Sequence, residues 1–177
     1  MHRSQVTLLN IFGMMGMAVL LLVALLLQVF ANELPCPLCL LQRLGFIMVM
    51  FGFMLNVVFG TQERHYGFVL FGAVFGSLVA LRQIALHVIP GTPGYGTAIL
   101  GFHFYTWAFT LFMATIFAVG ILLTLWDEAW PHKNYQMSTA AKYLCVAAVI
   151  VVGLNVLSTF IECGPYQCSE NPVQYWL

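Results

Sequence analysis

The polar positions of this chain fall in a few short clusters, and between them run long apolar stretches. A helix needs roughly 20 apolar residues to cross a hydrocarbon core of about 30 Å. Five stretches reach that length: about Val6 to Phe30, Leu40 to Phe59, Tyr66 to His87, Ala98 to Trp126 and Ala141 to Ile161. Each is read as a helix, because in lipid a helix satisfies its own backbone hydrogen bonds. The connections are short, at Ala31–Cys39, Gly60–His65, Val88–Thr97 and Asp127–Ala140, and a tail follows from Glu162 to Leu177. Pro90, Pro93 and several glycines forbid a continuous helix through the third connection. The expected fold is all-α, a polytopic transmembrane bundle of about five helices. It forms one membrane-embedded domain over 1–177, with residues 162–177 as an external tail.

Composition sharpens this picture. Hydrophobic residues make up 62% of the chain and charged residues 7%. A soluble domain carries about 25% charged residues. So few charges cannot cover a surface in water. Six basic residues balance six acidic ones, which gives no footprint for a nucleic-acid partner. The segment Val29-Phe30-Ala31 faintly resembles a signal-peptide cleavage site. The apolar run before it exceeds the usual h-region, so the first segment is expected to stay as a span.

Orientation follows from the basic residues of the connections. Arg3, Arg64, Lys133 and Lys142 fall on one side, while the other side carries only Glu33, Glu162 and Glu170. The N-terminus is therefore expected in the cytoplasm and the C-terminus outside. Tyr66, Trp126, Trp130 and Tyr166 suit interfacial belts. Asp127, Glu128, His132 and Lys133 read as a solvated cytoplasmic loop.

This orientation uses no cysteine, yet it places all four paired cysteines on the outer, oxidising side. Cys36 and Cys39 form a C-x-x-C at the start of the second helix. Pro37 is well placed at the first helical position, where its missing N–H is not needed. Cys39 then lies in the first turn, where free N–H groups and the helix dipole favour a thiolate. A low thiol pKa makes a better leaving group in disulfide exchange. Cys163 and Cys168 enclose four residues, and Gly164-Pro165 turns the chain so that they can close. The redox reading is preferred. Structural disulfides, or a zinc site built from all four thiolates, are the alternatives. Cys145, inside the fifth helix, reads as a small packing residue.

Arg43 follows Cys39 by four residues and shares its helix face. A charge inside the membrane is a functional candidate by default. Arg43 can stabilise a thiolate or the carbonyl of a bound quinone; snorkelling to the interface is its bland alternative. Arg82, Gln83 and His87 gather at the outer end of the third helix. His103 and Trp107 are expected on one face of the fourth. His87 and His103 would have to supply the ligands if the chain were a small haem-binding quinol oxidoreductase. A third class is an assembly or binding protein whose outer disulfides are purely structural.

Cys36-Pro37-Leu38-Cys39 followed by Leu40-Leu41-Gln42-Arg43 resembles the signature of the disulfide bond formation protein B (DsbB) family. The resemblance covers roughly residues 1–90, and Arg82 matches it loosely. It implies a quinone reductase of the bacterial inner membrane that reoxidises a soluble DsbA-like thiol oxidase in the periplasm. The cofactor it implies is ubiquinone or menaquinone from the membrane pool, and no metal is expected. By the resemblance Cys36–Cys39 is the quinone-facing disulfide. Cys39 forms the adduct with the quinone, and Arg43, Arg82 and His87 bind the cofactor. The best-known members place a second cysteine pair in the outer loop after the third helix. Here that loop has none, and Cys163–Cys168 in the tail is the equivalent partner-facing disulfide. With these four cysteines as catalytic residues, electrons run from the partner through the tail pair to Cys36–Cys39. Vitamin K epoxide reductases, which are related, carry their C-x-x-C late in the chain and fit this order less well.

A membrane-impermeant maleimide added to intact, reduced cells should label both cysteine pairs and spare Cys145. Label on only one pair would break the proposed electron route.

Overall fold

The computed structural model describes residues 2–31, 33–88, 91, 94–96, 98–128, 130, 135–166 and 168. Lys133, His132 and Glu170 lie outside the described residues. Five helices are long and apolar enough to cross a membrane: α1 (Arg3–Phe30), α2 (Pro37–Phe59), α3 (Glu63–His87), α4 (Phe104–Thr124) and α5 (Thr139–Cys163). The chain is thus an all-α, multi-pass membrane protein. Its outward faces are apolar: Phe12, Phe71 and Phe117 are each 65% exposed. In water such a surface would drive aggregation; in a bilayer it faces lipid tails.

The helices pack in the spatial order α5–α1–α2–α3–α4. The tightest seam is α2 on α3, and it is built on glycine. A Cβ on Gly52 would lie 2.7 Å from the Val69 backbone nitrogen, and one on Gly72 would lie 2.9 Å from that of Val49. Close backbone approach of this kind is how helices gain dispersion energy in lipid, where no hydrophobic effect holds them together. Phe112 of α4 packs over the Gly76 position and stacks on Phe46 at 4.3 Å between ring centroids, which ties α4 to the same seam.

The basic Arg3, Arg64 and Lys142 stand at the starts of α1, α3 and α5, at the end of the bundle away from Cys36 and Cys39. A buried polar cluster pins that end. Asn10 donates to the Tyr66 hydroxyl (3.0 Å) and Asn56 donates to Asn10 (2.9 Å). The Asn56 carbonyl in turn accepts from the Gln62 backbone (2.9 Å) and lies 3.0 Å from His65 Nδ1. Tyr66, expected in an interfacial belt, is fully buried because this cluster uses its hydroxyl. Trp130 is buried too, edge-on to Trp126 at 5.2 Å. Tyr166 is exposed, and Cys145 is buried with its Sγ 3.8 Å from Met14 Sδ.

The second helix starts at Pro37, ahead of the apolar run at Leu40, and Cys39 lies in its first turn as expected. Two other boundaries change what an element contains. The fourth starts at Phe104, not Ala98. Ahead of it, β1 (Ala98–Ile99) and β2 (Phe102–His103) form a minimal antiparallel hairpin. Its turn residues Leu100 and Gly101 both have positive φ, 53° and 81°. That is the conformation of tight hairpin turns, and it excludes a helix. The fifth helix runs on to Cys163, so Glu162 and Cys163, expected in the tail, form its last turn. Gly164 ends it at φ 61°, with its N–H bonded to the Phe160 carbonyl at 2.8 Å.

Gly52→Ala should lower the thermal midpoint in detergent by an amount corresponding to about 1–3 kcal/mol, since the new methyl meets backbone. Gly67→Ala, whose Cβ meets nothing within 4 Å, should leave it unchanged or raise it. Equal midpoints for the two variants would refute the glycine seam.

Candidate functional site

The start of α2 sets the site. Cys36 is the N-cap and Pro37 the first helical residue, so the next free backbone donors point back at Cys36. The Cys39 N–H donates to Cys36 Sγ at 3.2 Å. The helix start therefore favours a thiolate on Cys36, not on Cys39 as the sequence suggests, because the capping atom is the Cys36 sulfur. The Cys36 thiol pKa is lowered, first by hydrogen bonding with the Cys39 thiol, then by the backbone N–H groups of Cys39 and Leu38 and the side chain of Gln83; burial opposes them. Cys36 and Cys39 are both free thiols here, whereas Cys163 and Cys168 are joined as a disulfide. Two of the four sulfurs a zinc site would need are thus bonded to each other.

Gln83 of α3 reaches across the glycine seam to both sulfurs. Its Nε2 lies 3.5 Å from Cys36 Sγ and 3.6 Å from Cys39 Sγ. Its Oε1 accepts from Gln42 Nε2 at 2.6 Å, which fixes the amide's orientation. The sequence places Gln83 near the site; its role as a clamp on the dithiol emerges only when α2 and α3 are packed together.

One turn below Cys39, Arg43 is buried. Its Nη1 donates to Gln28 Oε1 (2.8 Å) and Asn155 Oδ1 (3.3 Å), and its Nη2 to the Ala24 carbonyl (3.2 Å). The guanidinium does not snorkel to the interface; it is held inward by α1 and α5. Gln28 also donates through Nε2 to Glu162 Oε2 at 3.3 Å. Sequence reasoning missed Gln28, Asn155 and Glu162 as partners of Arg43. Their signal is a lone polar residue in an otherwise apolar run.

A cavity of about 390 Å³ lies above this network, between α1 and α4 and over the start of α2. Its walls are mostly apolar, with Leu27, Phe46 and Trp107 among them, and Glu33, Cys39, Gln42, Arg43, Gln83 and Tyr95 supply its polar points. Such a pocket, apolar with a few convergent polar groups, suits a flat lipophilic ligand. Tyr95 donates to the Leu34 carbonyl at 2.6 Å and closes the outer side. Burial raises its phenol pKa, and the nearby Cys39, Cys36, Glu162 and Glu33 add to the shift.

The other expected residues sit at the margin. Arg82 is exposed and does not line the cavity. His87 bonds back to the Gln83 carbonyl (2.8 Å) and stacks on Tyr105 (5.3 Å between centroids), which does line it. His103 is the N-cap of α4 rather than part of a helical face with Trp107, and it stacks on Tyr105 as well, again at 5.3 Å. The two imidazoles thus contact one phenol.

Cys39, with the Cys36 thiol beside it, and the buried Arg43 thus face one apolar cavity in a helical membrane protein. The family model for disulfide bond formation protein DsbB matches residues 6–94, half of the chain. The disulfide bond formation protein B of Nitrosomonas eutropha is 37% identical over 71 residues, 38% of this chain and 44% of that protein. The match thus spans less than half the length of this relative. No solved structure matches the chain. The chain belongs to the DsbB family of disulfide bond formation proteins.

Titrating the reduced protein and following ultraviolet thiolate absorbance should give a first midpoint below the ordinary cysteine value, with thiolate above it and thiol below. Gln83→Leu, which removes a hydrogen bond to the sulfur, should move that midpoint up. A wild-type midpoint at the ordinary cysteine value of about 8.5 would contradict the capped geometry.

Proposed function

We propose that this protein is a thiol:quinone oxidoreductase of the bacterial inner membrane, which reoxidises a periplasmic DsbA-like thiol oxidase and delivers the electrons to ubiquinone or menaquinone. The observation that carries this reading is that Cys39 and Arg43, one helical turn apart, line the same apolar cavity. Family membership supports the disulfide-forming role, and the basic residues support a cytoplasmic N-terminus and a periplasmic C-terminus. The whole chain acts as one membrane-embedded domain.

The cavity's residues fit a quinone. Apolar walls accept a ring and the start of a prenyl chain, and Arg43 and Gln42 offer donors for carbonyl oxygens. When bound, the quinone supplies an acceptor for two electrons and two protons. The protein's part is to hold the dithiol, present positive charge and keep water out. Gln83 holds both sulfurs at the cavity edge. Capping by backbone N–H groups keeps Cys36 reactive near neutral pH. Arg43 places its charge one turn below Cys39, where an anion formed in the cavity gains most from it.

The tail pair takes electrons from the partner. A partner thiolate attacks one sulfur of Cys163–Cys168, forming a mixed disulfide and releasing the other sulfur as a thiolate. The partner's second thiol then resolves the mixed disulfide and leaves the tail as a dithiol. That dithiol reduces Cys36–Cys39 by the same exchange and returns to a disulfide. Arg82 and His87, outside the cavity lining, act at most from its margin.

Quinone-dependent oxidation of a reduced thioredoxin-like protein should fall to background in Cys39→Ser. It should fall about 10–100-fold in Arg43→Ala, the worth of a buried charge-assisted hydrogen bond. Unchanged turnover in Cys39→Ser would rule the scheme out. Cys168→Ser should trap a mixed disulfide between Cys163 and the partner. No adduct at either tail cysteine, with turnover intact, would make the tail pair a structural brace.

A further inference from the structure

Glu162 is the least expected buried group in the molecule. It lies in the last turn of α5, is 5% exposed, and carries a carboxylate into the bundle directly before Cys163. One oxygen, Oε2, accepts from Gln28. The other, Oε1, is buried with no hydrogen-bond partner among the described residues. A buried, half-satisfied carboxylate destabilises a fold, and glutamine or leucine would pack there at lower cost. Stability therefore does not explain it, and its chemistry has to.

Gln28 links Glu162 by hydrogen bonds to the cavity-lining Arg43, and the chemistry of that link is directional. A side-chain amide has one accepting end and one donating end, and either can be turned to face a neighbour. Arg43 can only donate, and an ionised carboxylate can only accept. With Arg43 at one end and Glu162 at the other, a single orientation satisfies both. Oε1 faces the guanidinium at 2.8 Å, and Nε2 faces the carboxylate at 3.3 Å. Asn155, two turns earlier on α5, holds the same Nη1 at 3.3 Å, and its own amide is fixed by the Leu21 and Val151 carbonyls.

We propose that Glu162 is a positioning residue of the quinone site: through Gln28 it fixes where the Arg43 guanidinium points, so that α5 completes the site instead of only packing beside it. The proposal rests on the thiol:quinone reading above and adds to it an element beyond the family match, which ends at residue 94. Glu162→Gln keeps the size of the side chain but can donate as well as accept. Arg43, which can only donate, still holds Gln28 Oε1, but Gln28 Nε2 exchanges a charged acceptor for a neutral one, so the far end of the link is held less firmly and the guanidinium with it.

The test is a double-variant cycle on the full chain in detergent, with a short-chain ubiquinone as the probe and quenching of tryptophan fluorescence as the readout. Trp107 lines the cavity and reports occupancy without turnover. Glu162→Gln should weaken quinone binding about fivefold, roughly the worth of one oriented hydrogen bond. Gln28→Leu should weaken it by a similar factor. The double variant should be no worse than either, because both changes cut the same link. Gln28→Asn, one methylene shorter, stands in if Gln28→Leu does not fold. In turnover, the KM for quinone should rise in Glu162→Gln while the KM for the reduced thioredoxin-like partner stays put. Factors that multiply in the double variant, or wild-type quinone affinity in Glu162→Gln, would overturn the positioning role alone. A wild-type protein that neither binds nor reduces the quinone would overturn this role and the thiol:quinone reading together.

Discussion

A guanidinium cannot be left unpaired inside a lipid-embedded bundle, and Arg43 sets the terms for the half of this structure that holds Cys36 and Cys39. Its partners come from α1 and α5, elements separated by more than a hundred residues of chain. To satisfy the charge, α5 must pack against α1 with Asn155 and Glu162 turned inward. That packing fixes one side of α1, and the cavity lies on its other side, in the gap between α1 and α4. Burial of one charge thus organises helix order, polar network and pocket together.

The opposite end of the molecule solves a different problem by similar means. There the polar groups are neutral amides, a phenol and an imidazole, and they satisfy one another closely around Asn56. This end reads as a clasp that joins α1, α2 and α3. The contrast locates the chemistry: a satisfied neutral cluster at one end, and a charged, strung-out one beside two thiols at the other.

Much of the fold is legible in the sequence, because lipid imposes a coarse rule that long apolar runs obey. The C-x-x-C at a helix start and the Arg43 register need only the helical repeat. What the sequence hides depends on contacts between distant elements. Gln28 on α1 and Asn155 and Glu162 on α5 lie in two unremarkable stretches, and only packing joins them into one network at the guanidinium. Gln83 is visible as polar, but its reach to both sulfurs depends on how closely α3 approaches α2. The hairpin before α4 is too short for any periodicity to reveal, with Gly101 as its only sign. Expecting the thiolate on Cys39 failed for a local reason: the capping position belongs to Cys36. The family match stops before α4 and α5, so it leaves the Cys163–Cys168 tail and the fifth helix to be argued from this chain alone.

The glycine seam has a mechanical consequence. Gly52 and Gly72 let two backbones touch, and touching backbones cannot slide past each other without collision. Gln83, on α3, is therefore held as a rigid strut against α2, whose start bears the sulfurs. The Cys36–Cys39 bond then has to open and close against an amide that the touching backbones hold in place, as a latch works against a fixed keeper.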